Sequence, residues 1–133
     1  TAGSLLDVLA EGELAEGDNL LESVDILGLN CGAEANHSEH TGMPYAIRGI
    51  RQLSQELEAR GIASKRMMAY PNAGLPKLDR QTRQTVYSQT SDEMAGQVGE
   101  LLAAGAFIVG GCCGTGPEHI GAFKKMVDEQ CQL

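Results

Sequence analysis

Ala106-Phe107-Ile108-Val109-Gly110-Gly111-Cys112-Cys113-Gly114-Thr115 runs from an apolar tetrapeptide into two adjacent thiols, and Pro117-Glu118-His119-Ile120 follows as a helix start. Four apolar residues bounded by turn formers read as a short buried strand. Glycines on both sides of the cysteines let the backbone bend sharply and come close to another group. The chain therefore presents two sulfurs at the exit of a buried strand, which reads as a site and not as a packing detail.

Working outward, the same strand-to-helix order recurs. Val24-Asp25-Ile26-Leu27-Gly28-Leu29-Asn30 reads as a strand ending at Cys31, and residues 46–60 as a helix carrying Ile47, Ile50, Leu53 and Leu57, closed by Gly61. Residues 65–70 form a second strand in which Met67 and Met68 are core, stopped by the loop Pro71-Asn72-Ala73-Gly74-Leu75-Pro76. After a polar stretch over 77–89, Thr90-Ser91-Asp92-Glu93 is a capping box that opens a helix to about residue 104, with Gly105 closing it. The third strand covers 107–110. Pro117 starts the last helix, whose buried stripe is Ile120, Phe123, Met126 and Val127. Ahead of all this, residues 4–22 carry a broken leucine stripe, interrupted by Gly12 and Gly17, that predicts one or two short helices with an acidic solvated face.

One helical lead-in over 1–23 and three βα units over 24–133 predict an α/β fold with parallel strands and right-handed crossovers. In such folds the chemistry gathers at the carboxyl ends of the strands. Cys31, Asn72, Cys112 and Cys113 all fall there.

Composition narrows the function classes. The chain has 133 residues, 42% of them hydrophobic, enough for one modest core without disulfide help. A formal charge of −8 repels phosphate backbones and anionic membrane surfaces, so neither nucleic acid nor membrane is an expected partner. No apolar run of about 18 residues or more is present and no basic-then-apolar leader opens the chain, which leads to the expectation of a cytoplasmic protein. Its four cysteines, Cys31, Cys112, Cys113 and Cys131, lack the spacing of a secreted disulfide scaffold. In a reducing compartment, clustered thiols serve metal binding or catalysis. Cys131, at the end of the last helix, reads as incidental.

Spacing alone leaves the chemistry open. Three thiolates from two loops suit a zinc site with an open fourth position, yet no pair of C-x-x-C knuckles is present. A vicinal pair also suits redox chemistry. His37 and His40, in Glu34-Ala35-Asn36-His37-Ser38-Glu39-His40, read as a solvated loop, and His119 as a hydrogen-bonding helix-start residue. Asn72 either faces a metal or the polar end of a substrate, or ties down its own turn. Asn30 reads as a loop stabiliser or as a donor that orients a sulfur.

Gly28-Leu29-Asn30-Cys31, Pro71-Asn72-Ala73-Gly74-Leu75-Pro76 and Gly110-Gly111-Cys112-Cys113-Gly114-Thr115, followed by Pro117-Glu118-His119-Ile120, resemble the last three strand-end motifs of the homocysteine S-methyltransferase family. The resemblance covers residues 24–128, and its loops look closer to methionine synthase-type members than to betaine-dependent ones. It implies the C-terminal part of a (β/α)8 TIM barrel, with zinc (Zn2+) held by Cys31, Cys112 and Cys113 and homocysteine entering through its sulfur. The implied activity is methionine-forming methyl transfer, a thiol S-methyltransferase reaction. Donor recognition lies outside the matching residues.

Two departures stand out. Gly116 replaces a threonine usual in the family, removing an N-cap hydroxyl from the last helix. The larger one is length, because a whole barrel needs roughly 250 residues. A partial barrel exposes strand edges, so a second copy or a complementary half-barrel chain is an expected partner. The chain also opens on Thr1, which reads as truncation or processing. The leading expectation is thus a fragment or half-subunit of a zinc-dependent homocysteine S-methyltransferase, not active alone. Its alternatives are a non-catalytic zinc-binding module and a vicinal-thiol redox domain.

Overall fold

Three parallel strands, each followed by helix, carry the architecture. The computed structural model describes residues 1–15, 17–34, 40–62 and 64–131. In chain order the elements are α1 (Ala2–Glu11), β1 (Glu13–Ala15), β2 (Asp18–Asn19), α2 (Leu20–Ser23), β3 (Ile26–Asn30), α3 (Gly42–Ala59), β4 (Arg66–Tyr70), β5 (Lys77–Leu78), β6 (Thr85–Val86), α4 (Ser91–Ala95), α5 (Val98–Ala103), β7 (Ala106–Val109) and α6 (Pro117–Cys131). The main sheet has the order β3-β4-β7, all parallel, with Leu27 opposite Met67 and Met68 opposite Ile108. Among the described residues this is a mixed α/β fold, and none of its helices is long and apolar enough to cross a membrane.

Strand alternation divides the sheet into two faces. Leu27, Met67, Ala69 and Ala106 are buried against the helices, while Ile26, Gly28, Asn30 and Arg66 are exposed on the opposite side. The helical side is filled by Ile47, Ile50, Leu53 and Leu57 of α3 and by Val98 and Leu101 of α5, at the spacing that lines one face of a helix. Leu6 and Leu21 extend this core beneath α1 and α2. Burial on one face only leaves a sheet whose other face and outer edges are open to solvent.

Helix boundaries follow identifiable local chemistry. α3 ends in a Schellman motif, since Ile62 N–H donates to Leu57 O and Gly61 N–H to Glu58 O, both at 2.9 Å, with Gly61 at φ +69°. It begins at Gly42, four residues before the expected start, because Pro44 is tolerated in a first helical turn. The capping box forms as expected: Glu93 N–H donates to Thr90 Oγ1 at 3.3 Å, and Thr90 N–H to Glu93 Oε2 at 2.8 Å. The helix it opens is broken, however, into α4 and α5 at Gly96-Gln97, where glycine weakens a helix interior.

Three further differences from the sequence reading have physical causes. Two short helices do occupy the lead-in, but a hairpin of β1 and β2 separates them where Gly17, at φ +92°, turns the chain. The polar stretch 77–89 contains a second hairpin, β5 with β6, whose two-residue strands are too short to show alternation. Ile120 is 46% exposed and does not join the buried stripe, while Phe123 is buried and Met126 and Val127 are half-buried against the core. α6 packs on α4 and α5, and Ile120 lines a surface groove with Phe107 of β7 instead of entering the core.

The capping box yields an acid-dependent prediction. Bonds from Thr90 N–H and Oγ1 hold the Glu93 carboxyl below its ordinary range. A lowered folded value means this stabilisation is complete above the unfolded carboxylate range and is lost as pH falls through the folded pKa. Thr90→Ala should cost about 1 kcal/mol near neutral pH. Thermal denaturation scanned from about pH 7 to about pH 3 should show the gap to the parent narrowing without closing, because the hydroxyl's bond to the carboxylate is lost on protonation while its bond from Glu93 N–H is missing from the variant at every pH.

Candidate metal centre

Strand pairing continues past the strand ends and assembles the site. Cys31 N–H donates to Tyr70 O at 2.9 Å, Gly110 N–H to Ala69 O at 3.0 Å and Cys112 N–H to Pro71 O at 2.9 Å. The loop after β4 then closes on the double cysteine, with Ala73 N–H donating to Cys113 O at 2.9 Å. Thr115 finishes the turn, its N–H and its hydroxyl both donating to Cys112 O, at 3.1 and 2.7 Å. Backbone bonds thus bring thiols about 80 residues apart in sequence into contact.

The Sγ atoms of Cys31, Cys112 and Cys113 all lie within 4.8 Å of one another. Cys31 Sγ is 2.8 Å from Cys112 Sγ, and Cys112 Sγ is 3.9 Å from Cys113 Sγ. Cys31 and Cys112 are half-buried and Cys113 is exposed, so the cluster opens on one side. Cys31 itself sits at φ +53°, a left-handed conformation unusual for a residue with a Cβ.

Crowding three thiols sets their acidity. The hydrogen bond from Cys112 lowers the Cys31 pKa, with further help from Cys113 and Gly32. Hydrogen bonding to Cys31 and Cys112, and their charge, push Cys113 up to about 11. One thiolate is easy to form here and three are not, unless a cation balances them. Three soft sulfurs suit zinc in kind: tetrahedral coordination with Zn–S near 2.3 Å places sulfurs about 3.8 Å apart, which the Cys112–Cys113 pair matches at 3.9 Å and the 2.8 Å Cys31–Cys112 pair would meet by opening about 1 Å. Three protein donors leave a fourth position for another ligand.

The remaining candidates divide. Asn72 is buried, and its Nδ2 donates to Gly74 O at 2.7 Å and to Thr41 Oγ1 at 3.2 Å, so it does tie its own turn. Its Oδ1 is buried without a hydrogen-bond partner among the described residues. Asn30 Nδ2 points at Cys112 Sγ from 4.0 Å, reaching across to the neighbouring loop and not to the adjacent cysteine. His119 is a helix-start residue: Gly116 N–H donates to its Nδ1 at 3.1 Å, which satisfies one backbone donor at the start of α6. His40 lies 3.3 Å from Glu34, away from the thiols. His37 and the Cys131 side chain lie outside the described residues.

Several residues support the site in ways that no local pattern showed. Tyr70 packs on Gly110 and Tyr87 on Gly114, so two aromatic rings brace the double-cysteine loop. Gln89 reaches both Thr41 and Met43 at the start of α3. Their positions become meaningful only when the loops are folded together.

Gly114 is the sharpest test of this bracing. It lies at φ +79°, and a Cβ there would run into the Tyr87 ring. Gly114→Ala should cost about 1–3 kcal/mol from backbone strain, with the ring clash in addition. Urea denaturation checks this, and Gly121→Ala, where a Cβ meets nothing within 4 Å inside α6, should show no such loss.

Comparison with known proteins agrees with the geometry. Over 99 residues the chain is 37% identical to methionine synthase of Mycobacterium leprae, covering 73% of this chain and 7% of that protein. It is 32% identical over 109 residues to homocysteine S-methyltransferase 4 of Zea mays, covering 80% of this chain and 27% of the relative. Homocysteine S-methyltransferase 3 of Zea mays is 26% identical over 129 residues, with 89% and 33% covered. The chain thus spans a third or less of the length of these relatives. The sequence model describing homocysteine S-methyltransferase matches residues 5–127, which include all three clustered cysteines and Asn72. This chain belongs to the homocysteine S-methyltransferase family.

Proposed function

We propose that these residues form the metal-binding end of a zinc-dependent homocysteine S-methyltransferase, with Cys31, Cys112 and Cys113 as the zinc ligands. The observation that carries this reading is the convergence of three thiols, from two strand-end loops, at the carboxyl edge of a parallel sheet. Family membership supports the substrate, homocysteine. Zinc would supply the Lewis acidity that turns a thiol into a nucleophilic thiolate at neutral pH.

The protein's own groups do the holding and orienting. Cys31 and Cys112 are fixed by backbone bonds to the β4 strand and its loop, while Cys113 faces the open side where a substrate sulfur would enter. Asn30 approaches the Cys112 sulfur as an orienting donor. Asn72 keeps a buried acceptor, Oδ1, in the loop that closes on Cys113, and we assign it to the polar part of the substrate or to the metal.

The rest of the barrel must come from elsewhere. In this reading the chain is a single partial domain: residues 1–23 lead in, and 24–133 are three βα units of a (β/α)8 TIM barrel. Its open sheet face and its exposed Ile26 and Phe107 would be covered by the remaining strands. These come from further sequence on the same polypeptide, a complementary chain or a second copy. Activity then requires that completion, and a reducing cytoplasmic setting would keep the thiols available.

Metal analysis with homocysteine titration tests the reading. One zinc per chain is expected, with Cys112→Ser weakening it by more than the roughly 10–100-fold that loss of an outer hydrogen-bonding partner costs. Calorimetry should show homocysteine binding to the zinc-loaded protein only. Stoichiometric zinc with no homocysteine response would mean a non-catalytic zinc module. A metal-free protein with a reversible Cys112–Cys113 disulfide would mean a redox domain.

A further inference from the structure

α3 starts without help from its own N-cap side chain. Thr41 occupies the N-cap position and makes no side-chain cap bond, because its Oγ1 instead accepts from Asn72 Nδ2 at 3.2 Å. Helix N-termini carry backbone donors that need partners. Here one partner comes from far along the chain: Met43 N–H donates to Gln89 Oε1 at 3.2 Å. The other half of the same amide is also used, Gln89 Nε2 donating to Thr41 O at 3.3 Å. Gly42, at φ +63°, leaves the space into which this amide fits, since a Cβ there would collide with Gln89 Oε1.

Both ends of Gln89 lead to the thiols. Thr41 pairs with Ala33 in an antiparallel bridge, which pins the chain two residues after Cys31 to the start of α3. On the other side, Gln89 N–H donates to Ala73 O at 3.0 Å, and Ala73 N–H donates to Cys113 O at 2.9 Å. Gln89 thus bonds the start of α3, behind the Cys31 loop, through its side chain and the loop after β4 through its backbone, at Ala73, which in turn holds Cys113; the Asn72–Thr41 bond runs beside it. We infer that Gln89 is a positioning residue that sets the distance of Cys31 from the Cys112-Cys113 pair by clamping the start of α3 to the loop after β4.

Two variants and two readouts test this in the full chain. Gln89→Leu removes both side-chain bonds at similar volume, and Gln89→Glu keeps an acceptor for Met43 N–H while losing the donor to Thr41 O. Cobalt(II) reports on the thiolates through its sulfur-to-metal charge-transfer absorption, and competition with a chelator gives affinity. Gln89→Leu should bind cobalt and zinc about 10-fold more weakly, with a shifted charge-transfer band, and Gln89→Glu should recover much of that loss. Leu57→Ala, buried at the far end of α3, serves as the stability control: it should lower the denaturation midpoint but leave affinity and band unchanged.

The metal readout rests on the thiolate zinc reading, and the second readout does not. In metal-stripped protein treated with diamide, mass spectrometry gives the rate of Cys31–Cys112 cross-linking, which should fall several-fold in Gln89→Leu. An unchanged cross-linking rate in folded Gln89→Leu, or a Leu57→Ala effect equal to it, overturns the inference. So does a Gln89→Glu variant no better than Gln89→Leu. If the parent chain binds no metal yet its cross-linking rate still depends on Gln89, the clamp stands and the zinc assignment falls.

Discussion

Everything at the site depends on β4 pairing in parallel with β3 on one side and β7 on the other. Three bonds carry the ladder beyond its regular end, to Tyr70 O, Ala69 O and Pro71 O, and these place Cys31 and Cys112 side by side. Sulfur atoms contribute little to that approach, since free thiols are weak hydrogen-bonding groups. Backbone bonds bring the cysteines together, and the Gln89 side chain then sets how closely Cys31 is held to the pair.

This division explains why the core and the site can be considered apart. Leu27, Met67, Ala69 and Ala106 hold the sheet on α3 and α5, and burial of such side chains stabilises by about 1.5–3 kcal/mol for each large one. The thiol cluster sits beyond them at the strand ends, half in solvent, and its crowding is unfavourable in the charged state, as the raised Cys113 shows. A cation that takes thiolates would convert that repulsion into attraction.

Much of the plan was legible in residue order because strands, caps and glycines have local signatures. The β3, β4 and β7 positions, the Thr90–Glu93 box and the Gly61 stop could all be read from a few adjacent residues. Cys31 and the Cys112-Cys113 pair were legible as site candidates because each follows an apolar run. What could not be read depends on partners distant in sequence. Gln89 looks like an ordinary polar residue ahead of a helix, yet it caps a helix 46 residues earlier. Ile120 fits a helical stripe, but which face of α6 is buried is set by its packing on α4 and α5, elements read from other parts of the chain. Hairpins with two-residue strands leave too short a pattern to recognise.

The central claim is that three protein sulfurs share one zinc and leave a place for a fourth. X-ray absorption at the zinc edge counts those sulfurs directly. The account predicts three Zn–S scatterers at about 2.3 Å in the zinc-loaded protein, rising to four when homocysteine is added. Two or fewer sulfurs, or a first shell that homocysteine leaves unchanged, would contradict it.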